Sequence, residues 1–325
     1  IRQAASLNGP VIGSAGLEAV LGAEYNSTRD DERPLSSPPS PKPPVFGNPN
    51  PGNTTMADFV YSLNSSTIRP TPILEKIAIA GRTGYGAIEL WHDDIDLYLL
   101  TGGTLADIRK AADDNGLEVP TTIFLKGWWD TVGEEYEQEI DEIKRRLEQS
   151  VAVGATYAIG GPPLGEVDFE LGGRQYARLL EIGREFGIKP IMEFLGFSEQ
   201  VNSIEAALRV MEGSGDGDAT TVLDPFHIYR GGGDVESIAK LTSDQIAISH
   251  FNDCIDTKPR EEQHDPDRVM PGDGIFDLGR YCQLLKEVGY DGWLSLELFR
   301  EDLWEQDPEE VAREGLEKMK AVAEA

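Results

Sequence analysis

The sequence has little of the residue types that announce several common chemistries. Of 325 residues, four are histidine (His92, His227, His250, His264) and two are cysteine (Cys254, Cys282). No CxxC pair occurs, so neither a zinc knuckle nor a disulfide framework is implied, and two lone cysteines are expected in the core. Basic residues are also scarce: 29 Lys and Arg stand against 58 Asp and Glu, a net charge of −29. Binding a phosphate backbone needs a basic footprint, which argues against nucleic acid as a partner and disfavours anionic membrane surfaces. No apolar run approaches the ~20 residues that cross a bilayer. The acidity reads as a solvated coat that keeps the protein soluble.

What is present falls into two parts. Residues 27–54 are rich in Pro, Ser, Asn and Gly, with Pro-Pro pairs at 38–39 and 43–44. Such a segment buries too little apolar surface to fold alone and reads as a linker or wrapping arm. Before it, the Gly/Ala/Leu-rich stretch from Pro10 to Ala23, preceded by Arg2, has the look of the remainder of an export signal, although Glu18 inside it argues against one. We therefore divide the chain into an extension over 1–56 and a folded domain over 57–325. The cytoplasm is the expected location, with export the alternative.

From Ala57 onward, short β-rich runs alternate with segments of three- and four-residue apolar spacing. Strands are predicted at Phe59–Leu63, Ala87–Leu90, Val119–Phe124, Tyr157–Ile159, Lys189–Glu193, Thr220–Leu223, Ile246–His250 and Trp293–Glu297. Helices are predicted at Pro72–Arg82, Leu105–Asn115, Glu134–Val153, Tyr176–Phe186, Ile204–Glu212, Leu278–Val288 and Pro308–Ala323. Gly116, Gly187 and Gly289 stand where helix C-caps belong. Eight β/α units of this size predict an α/β fold, a (β/α)8 TIM barrel. A doubly wound sheet is the rival, but no GxGxxG or Walker loop follows the first strand.

A TIM barrel carries its active site at the C-terminal ends of its strands. The last four predicted strands each finish an apolar run with one ionisable group: Glu193, Asp224, His250 and Glu297. One such carboxylate is commonly a cap or an ion-pair partner. Four on consecutive strands are hard to explain as structure, because unpaired charges buried together are costly and a cation offsets them. Three carboxylates and an imidazole suit one divalent metal ion, Mn²⁺, Mg²⁺ or Co²⁺, and accept Zn²⁺.

These residues sit in recognisable surroundings. The runs Met192-Glu-Phe-Leu-Gly196, Leu223-Asp-Pro-Phe-His227, His250-Phe-Asn-Asp253, Asp267-Arg-Val-Met-Pro-Gly-Asp-Gly274 and Ser295-Leu-Glu-Leu-Phe299 resemble the xylose isomerase-like TIM-barrel superfamily. The segment from Arg268 and the helix end Leu285-Lys-Glu-Val-Gly-Tyr290 look most like its inosose isomerase branch. The resemblance covers about 57–325 and is strongest from Glu193 onward. It implies a single metal on Glu193, Asp224, His250 and Glu297, with His227 and Arg268 beside the substrate. It also implies an isomerase or epimerase of a keto-sugar or keto-cyclitol working through a metal-stabilised enediolate, with Glu193 and Glu297 as the acid/base pair. A dehydratase of the inosose or dehydroshikimate type and a non-catalytic sugar-binding barrel are the alternatives. The partner is then a small polyhydroxylated carbonyl compound, and such barrels commonly pair as homodimers. An endonuclease IV-like repair enzyme is disfavoured by the four histidines and the acidity.

Loops after the first four strands are expected to set specificity. Asn64, Glu89, Trp91, Lys126, Trp128 and Trp129 are the candidate substrate contacts there. His92 is expected at the barrel mouth, and His264 lies in a polar loop with little case for a second metal.

Overall fold

The computed structural model describes residues 59–325; the extension over 1–56, with its export-signal reading, lies outside the described residues. Ten strands form, β1 Val60–Asn64, β2 Ala87–Trp91, β3 Val119–Leu125, β4 Ala155–Gly160, β5 Lys189–Glu193, β6 Thr221–Leu223, β7 Ile246–His250, β8 Asp253–Cys254, β9 Arg268–Val269 and β10 Trp293–Leu296. Eight of them close into a parallel barrel in the order β1-β10-β7-β6-β5-β4-β3-β2, while β8 and β9 pair as a small antiparallel ribbon. The TIM-barrel expectation therefore holds, and β5 and β7 have the predicted bounds.

The helices are α1 Ile73–Thr83, α2 His92–Leu100, α3 Leu105–Asp114, α4 Gly133–Val153, α5 Phe169–Phe186, α6 Ile204–Ser214, α7 Pro225–Arg230, α8 Leu278–Glu287, α9 Glu301–Trp304 and α10 Pro308–Ala323. Helix α5 starts seven residues before the predicted Tyr176. Asp168 caps it by accepting from the Glu170 and Leu171 amides. Gly172 and Gly173 then weaken the local helix signal, but they serve packing: a Cβ on Gly173 would lie 2.5 Å from the Gly213 backbone of α6. The sequence reading missed α2, whose Leu97 and Leu100 point outward and break the apolar stripe.

The main core lies between the barrel and its helices, including Leu63, Ile88, Leu90, Met192 and Leu223 from the strands. A second cluster, Ile123, Ile159, Ile191, Val222, Ala247 and Ile248, fills the barrel interior. Period-two alternation thus sends one strand face to the helices and the other inward. Above that apolar plug the inward residues become polar, and the site begins there. No helix among the described residues is long and apolar enough to cross a membrane.

Candidate active site

Strand register sets which side chains meet. Asn64 on β1 pairs with Glu89 on β2, and Ser295 on β10 pairs with His250 on β7. Glu193 ends β5, Asp224 follows β6, and Glu297 follows β10. The four predicted ligand residues Glu193, Asp224, His250 and Glu297 are all buried, and one donor atom from each lies within 4.8 Å of the others. His250 Nδ1 is 3.0 Å from Glu193 Oε1, 3.1 Å from Glu297 Oε2 and 3.8 Å from Asp224 Oδ2. Yet Nδ1 and Glu193 Oε1 complete no hydrogen bond although both are sealed from solvent. Orphaned buried polar atoms of this kind are costly unless a cation satisfies them, so one nitrogen and three oxygens fit a divalent metal.

The electrostatics follow from this crowding. Burial, reinforced by Glu297 and Asp224, pushes the Glu193 carboxyl up to about 7 despite the attraction of His250. Burial also raises Glu297, against the pull of His250 and Arg268. Asp224 goes the other way: burial opposes ionisation, but Arg268, His227 and His250 together hold it well below the usual carboxylate range. His250 is penalised by burial, but Glu297, Glu89 and Glu193 outweigh that and raise it well above an ordinary histidine.

A lower layer holds the cluster in place. Glu89 is fully buried and accepts from Asn64 Nδ2 at 3.1 Å and, through shorter contacts, from the Thr121 and Ser295 hydroxyls. It faces His250 Nε2 at 3.4 Å without completing a hydrogen bond. A carboxylate on that side favours a proton on Nε2 and leaves Nδ1 for a metal. Burial alone would raise Glu89, but His250 and the two hydroxyls bring it below its ordinary value. Asn64 Nδ2 also donates to Glu297 Oε1 at 3.0 Å, while its Oδ1 accepts from Trp91 Nε1 at 2.9 Å and from the Ser66 amide. Asn64 and Glu89, expected among the substrate contacts, lie beneath the cavity and are absent from its lining.

The cavity over the cluster has about 650 Å³ of empty space and is lined by Glu193, Glu297, His227, Arg268, Trp91 and Lys126, among others. Of the predicted contacts, these last four reach it. Phe124, Phe197 and Phe299 also line it, and none of them is among the contacts expected from the sequence. A register shift in β3 between Ile123 and Leu125 lets the consecutive residues Ile123 and Phe124 both face the cavity, which strict alternation forbids.

His227 rides on α7. Asp224 caps this helix by accepting from the Phe226 amide at 2.7 Å, with Pro225 in its first turn. Arg268 Nη2 stands 3.1 Å from His227 Nε2. The neutral ring can accept at only one nitrogen, and the Gly196 amide approaches the other, Nδ1, at 3.1 Å. That approach needs glycine, because a Cβ on residue 196 would fall 2.6 Å from the His227 carbonyl oxygen. Burial pushes His227 down to about 4, only partly offset by Asp224, so it is neutral near pH 7.

Arg268 arrives on the β8–β9 ribbon and is 1% exposed. Its Nη2 donates to Asp224 Oδ2 at 2.8 Å and lies 3.6 Å from Glu297, and Nη1 donates to Asp265. The Phe226 and Phe299 rings lie 4.4 and 5.4 Å from its guanidinium carbon. Asn252, also missed, donates to Asp224 Oδ1 at 3.1 Å. Its only sequence signal is its place two residues after His250.

Three further expectations change. Trp128 and Trp129 are core residues: Trp128 donates to the Gly161 carbonyl at 2.9 Å, and Trp129 packs against Gly172 and Phe169. The chain turns inward after Lys126, so both rings fill the gap between β4 and α5. His92 is buried beside Gln149, with Nδ1 at 2.8 Å from Oε1, and does not line the mouth. Burial pushes it down to about 4. His264 joins no second ligand cluster among the described residues, and Cys254 and Cys282 are free and buried.

A closed parallel barrel with a buried carboxylate–imidazole cluster at its C-terminal mouth defines the class: a TIM barrel whose mouth holds a cluster that could take a metal ion. Residues 77–322 match the model of the xylose isomerase-like TIM barrel, and the chain belongs to that family. The inosose isomerase of Bacillus velezensis is 26% identical over 266 residues, covering 79% of this chain and 94% of that protein. A 3-dehydroshikimate dehydratase of Pseudomonas aeruginosa is 26% identical over 245 residues, covering 70% of this chain and 36% of that protein. The crystal structure of the IOLI protein with a zinc atom bound has a TM-score of 0.76 at 24% identity, covering 81% of this chain and 97% of that one. That likeness is one of fold. The relatives are enzymes, which supports an enzyme here.

Proposed function

We propose that the protein is a divalent-metal-dependent isomerase or epimerase of a small polyhydroxylated ketone, a keto-cyclitol or keto-sugar. The observation that carries this reading is the convergence of Glu193, Asp224, His250 and Glu297 at the base of one cavity, with His250 Nδ1 and Glu193 Oε1 sealed and unpartnered. The names of the relatives support the substrate class. A divalent cation on those four residues supplies Lewis-acid polarisation of a carbonyl and of the charge that develops on its oxygen.

The chain's own residues handle protons and orientation. Glu193, a carboxylate on the cavity wall, is placed to accept a proton from a substrate carbon and return it. Glu297 shares the cavity floor, and two strands, β6 and β7, separate β5 from β10 in the barrel, so the pair approaches a bound carbon skeleton from different directions. His227 lines the cavity as a neutral ring, and Arg268, 3.1 Å from its Nε2, presents a fixed positive charge to a substrate oxygen. Trp91, Phe124, Phe197 and Phe299 offer apolar faces to the C–H side of a sugar or cyclitol ring and restrict water. Asn64 and Glu89 act as positioning residues from below.

Transfer of a proton from one carbon to its neighbour gives isomerisation, and return to the opposite face gives epimerisation. Loss of a β-hydroxyl after the same proton abstraction gives dehydration; a dehydratase among the relatives supports that second reading. The test is solvent deuterium entry followed by NMR in D2O. The protein is stripped and then reloaded with Mn²⁺, Mg²⁺, Co²⁺ or Zn²⁺, and offered inososes, ketohexoses and 3-ketoglucosides. Metal-dependent exchange beside a carbonyl, lost by at least a thousandfold in Glu297→Gln, is expected. A protein that takes up metal but exchanges no substrate proton refutes the catalytic reading.

A further inference from the structure

The cavity has a second polar end, distinct from the acidic cluster. Strand β3 runs out into Lys126, which lines the cavity and is exposed there. Arg146 reaches the same place from α4: its Nη1 donates to the Phe124 carbonyl, two residues before Lys126, and its Nε pairs with Glu142 at 2.7 Å. Its Nη2 has no partner among the described residues. Lys126 has no hydrogen bond, ion pair or ring contact among them at all. Asp93, which opens α2 and also lines the cavity, forms no ion pair with Lys126, and the remaining lining acid outside the cluster, Asp265, is taken by Arg268. Between the cationic end and the cluster the wall is apolar, with Ile123, Phe124 and Leu195.

We infer that Lys126 and Arg146 form a subsite for a carboxylate, so that the substrate is an anionic polyhydroxylated ketone carrying its acid group away from the reacting carbonyl. The inference rests on the isomerase reading above and adds the substrate's charge to it. Two unspent donors on adjacent cations match a planar carboxylate, and such charge-assisted hydrogen bonds are about twice as strong as neutral ones. A neutral polyol leaves Lys126 without a counter-charge, and the surrounding acidic surface gives the binding of any anion a local, not a global, cause.

The test compares D-fructuronate with D-fructose, which differ at one end as carboxylate and hydroxymethyl. Binding to the Mn²⁺-loaded protein is measured calorimetrically at 0.05 and 0.5 M NaCl. We expect fructuronate to bind at least tenfold tighter at low salt, with the advantage shrinking at high salt. Lys126→Gln is expected to remove most of that advantage while leaving fructose affinity within twofold. Because Lys126 makes no hydrogen bond, ion pair or ring contact among the described residues, this variant leaves the fold intact; Arg146→Gln also loses its hold on Phe124 and serves as a second, structurally heavier probe. Equal affinity for the two sugars, failure of fructuronate to bind at millimolar concentration, or an advantage that survives Lys126→Gln overturns the inference. Deuterium exchange into fructose with no preference for the acid overturns the subsite and leaves the isomerase reading standing. A preference lost in Lys126→Gln, with no exchange in either sugar or in the inososes and 3-ketoglucosides, supports the subsite and removes the isomerase reading.

Discussion

Lowering the pH from 8 to 6 is expected to weaken divalent-cation binding by at least about tenfold, and the structure gives the reason. In the metal-free protein, burial holds Glu193 protonated up to about 7. Glu297, Glu89 and Glu193 keep His250 protonated well above its ordinary range. A metal takes His250 Nδ1 only after its proton leaves, and takes Glu193 only as a carboxylate. Below pH about 7 the Glu193 proton leaves as the cation binds, so its share of the change is about tenfold per pH unit, about 1.4 kcal/mol between pH 7 and 6. The His250 proton, also released on binding, adds a change in the same direction.

The same protons bear on stability. The folded-state value of Glu193 lies above its ordinary 4.5, so its contribution is fully present below about 4.5 and is lost as the pH rises through about 7. His250, raised as well, adds a loss in the same direction at higher pH. From pH 5 to 8 the Glu193 share is about 2 to 3 kcal/mol, a drop of several degrees in Tm for a domain of this size. The metal-loaded protein, whose cluster is already deprotonated, is expected to lose this dependence. Calorimetric titration with Mn²⁺ or Zn²⁺ at pH 6, 7 and 8, in two buffers of different ionisation enthalpy, reads both affinity and released protons. An affinity that is flat from pH 6 to 8 with no proton released would refute the assignment of His250 Nδ1 and Glu193 as ligands.

Two substitutions separate the layers of the site. Glu89→Gln removes the charge beneath His250 Nε2 and sets an amide donor against the Thr121 and Ser295 hydroxyls. It is expected to weaken metal binding ten- to a hundredfold and to destabilise the fold by about 1–3 kcal/mol, read by metal titration and denaturant unfolding; unchanged metal affinity would remove Glu89 from the support of His250. Trp129→Ala should act as a core truncation, lowering stability by about 3–5 kcal/mol while metal affinity stays within a few-fold. A stable variant with lost substrate binding would instead restore Trp129 to the site.

The sequence exposed the barrel because its β/α period is carried by local signals: apolar runs of strand length, helix caps and terminal glycines such as Gly187. The acidic cluster was legible for a related reason. Ionisable residues closing four successive apolar strands must converge if the strands form a barrel, as Glu193, Asp224, His250 and Glu297 do. The supporting layer was harder to see. Thr121 and Ser295 are unremarkable polar residues within strands, and only register places them on Glu89. The sequence could rank Trp91, Trp128 and Trp129 only alike, as aromatics near strand ends.

By itself, then, the sequence determined the fold class, the strand each ligand candidate ends and the acid-rich chemistry of the mouth, since these follow from periodicity and residue type along the chain. Which face of a loop residue meets the cavity was decided by tertiary structure. Trp91 lines the cavity while Trp128 and Trp129 fill the core, and Asn64 and Glu89 sit below the floor while Lys126 and Arg146 stand on the wall. The physical reason is that strand register, the shift in β3 and the packing of α4 and α5 set side-chain direction through contacts far apart in sequence, which no local pattern records.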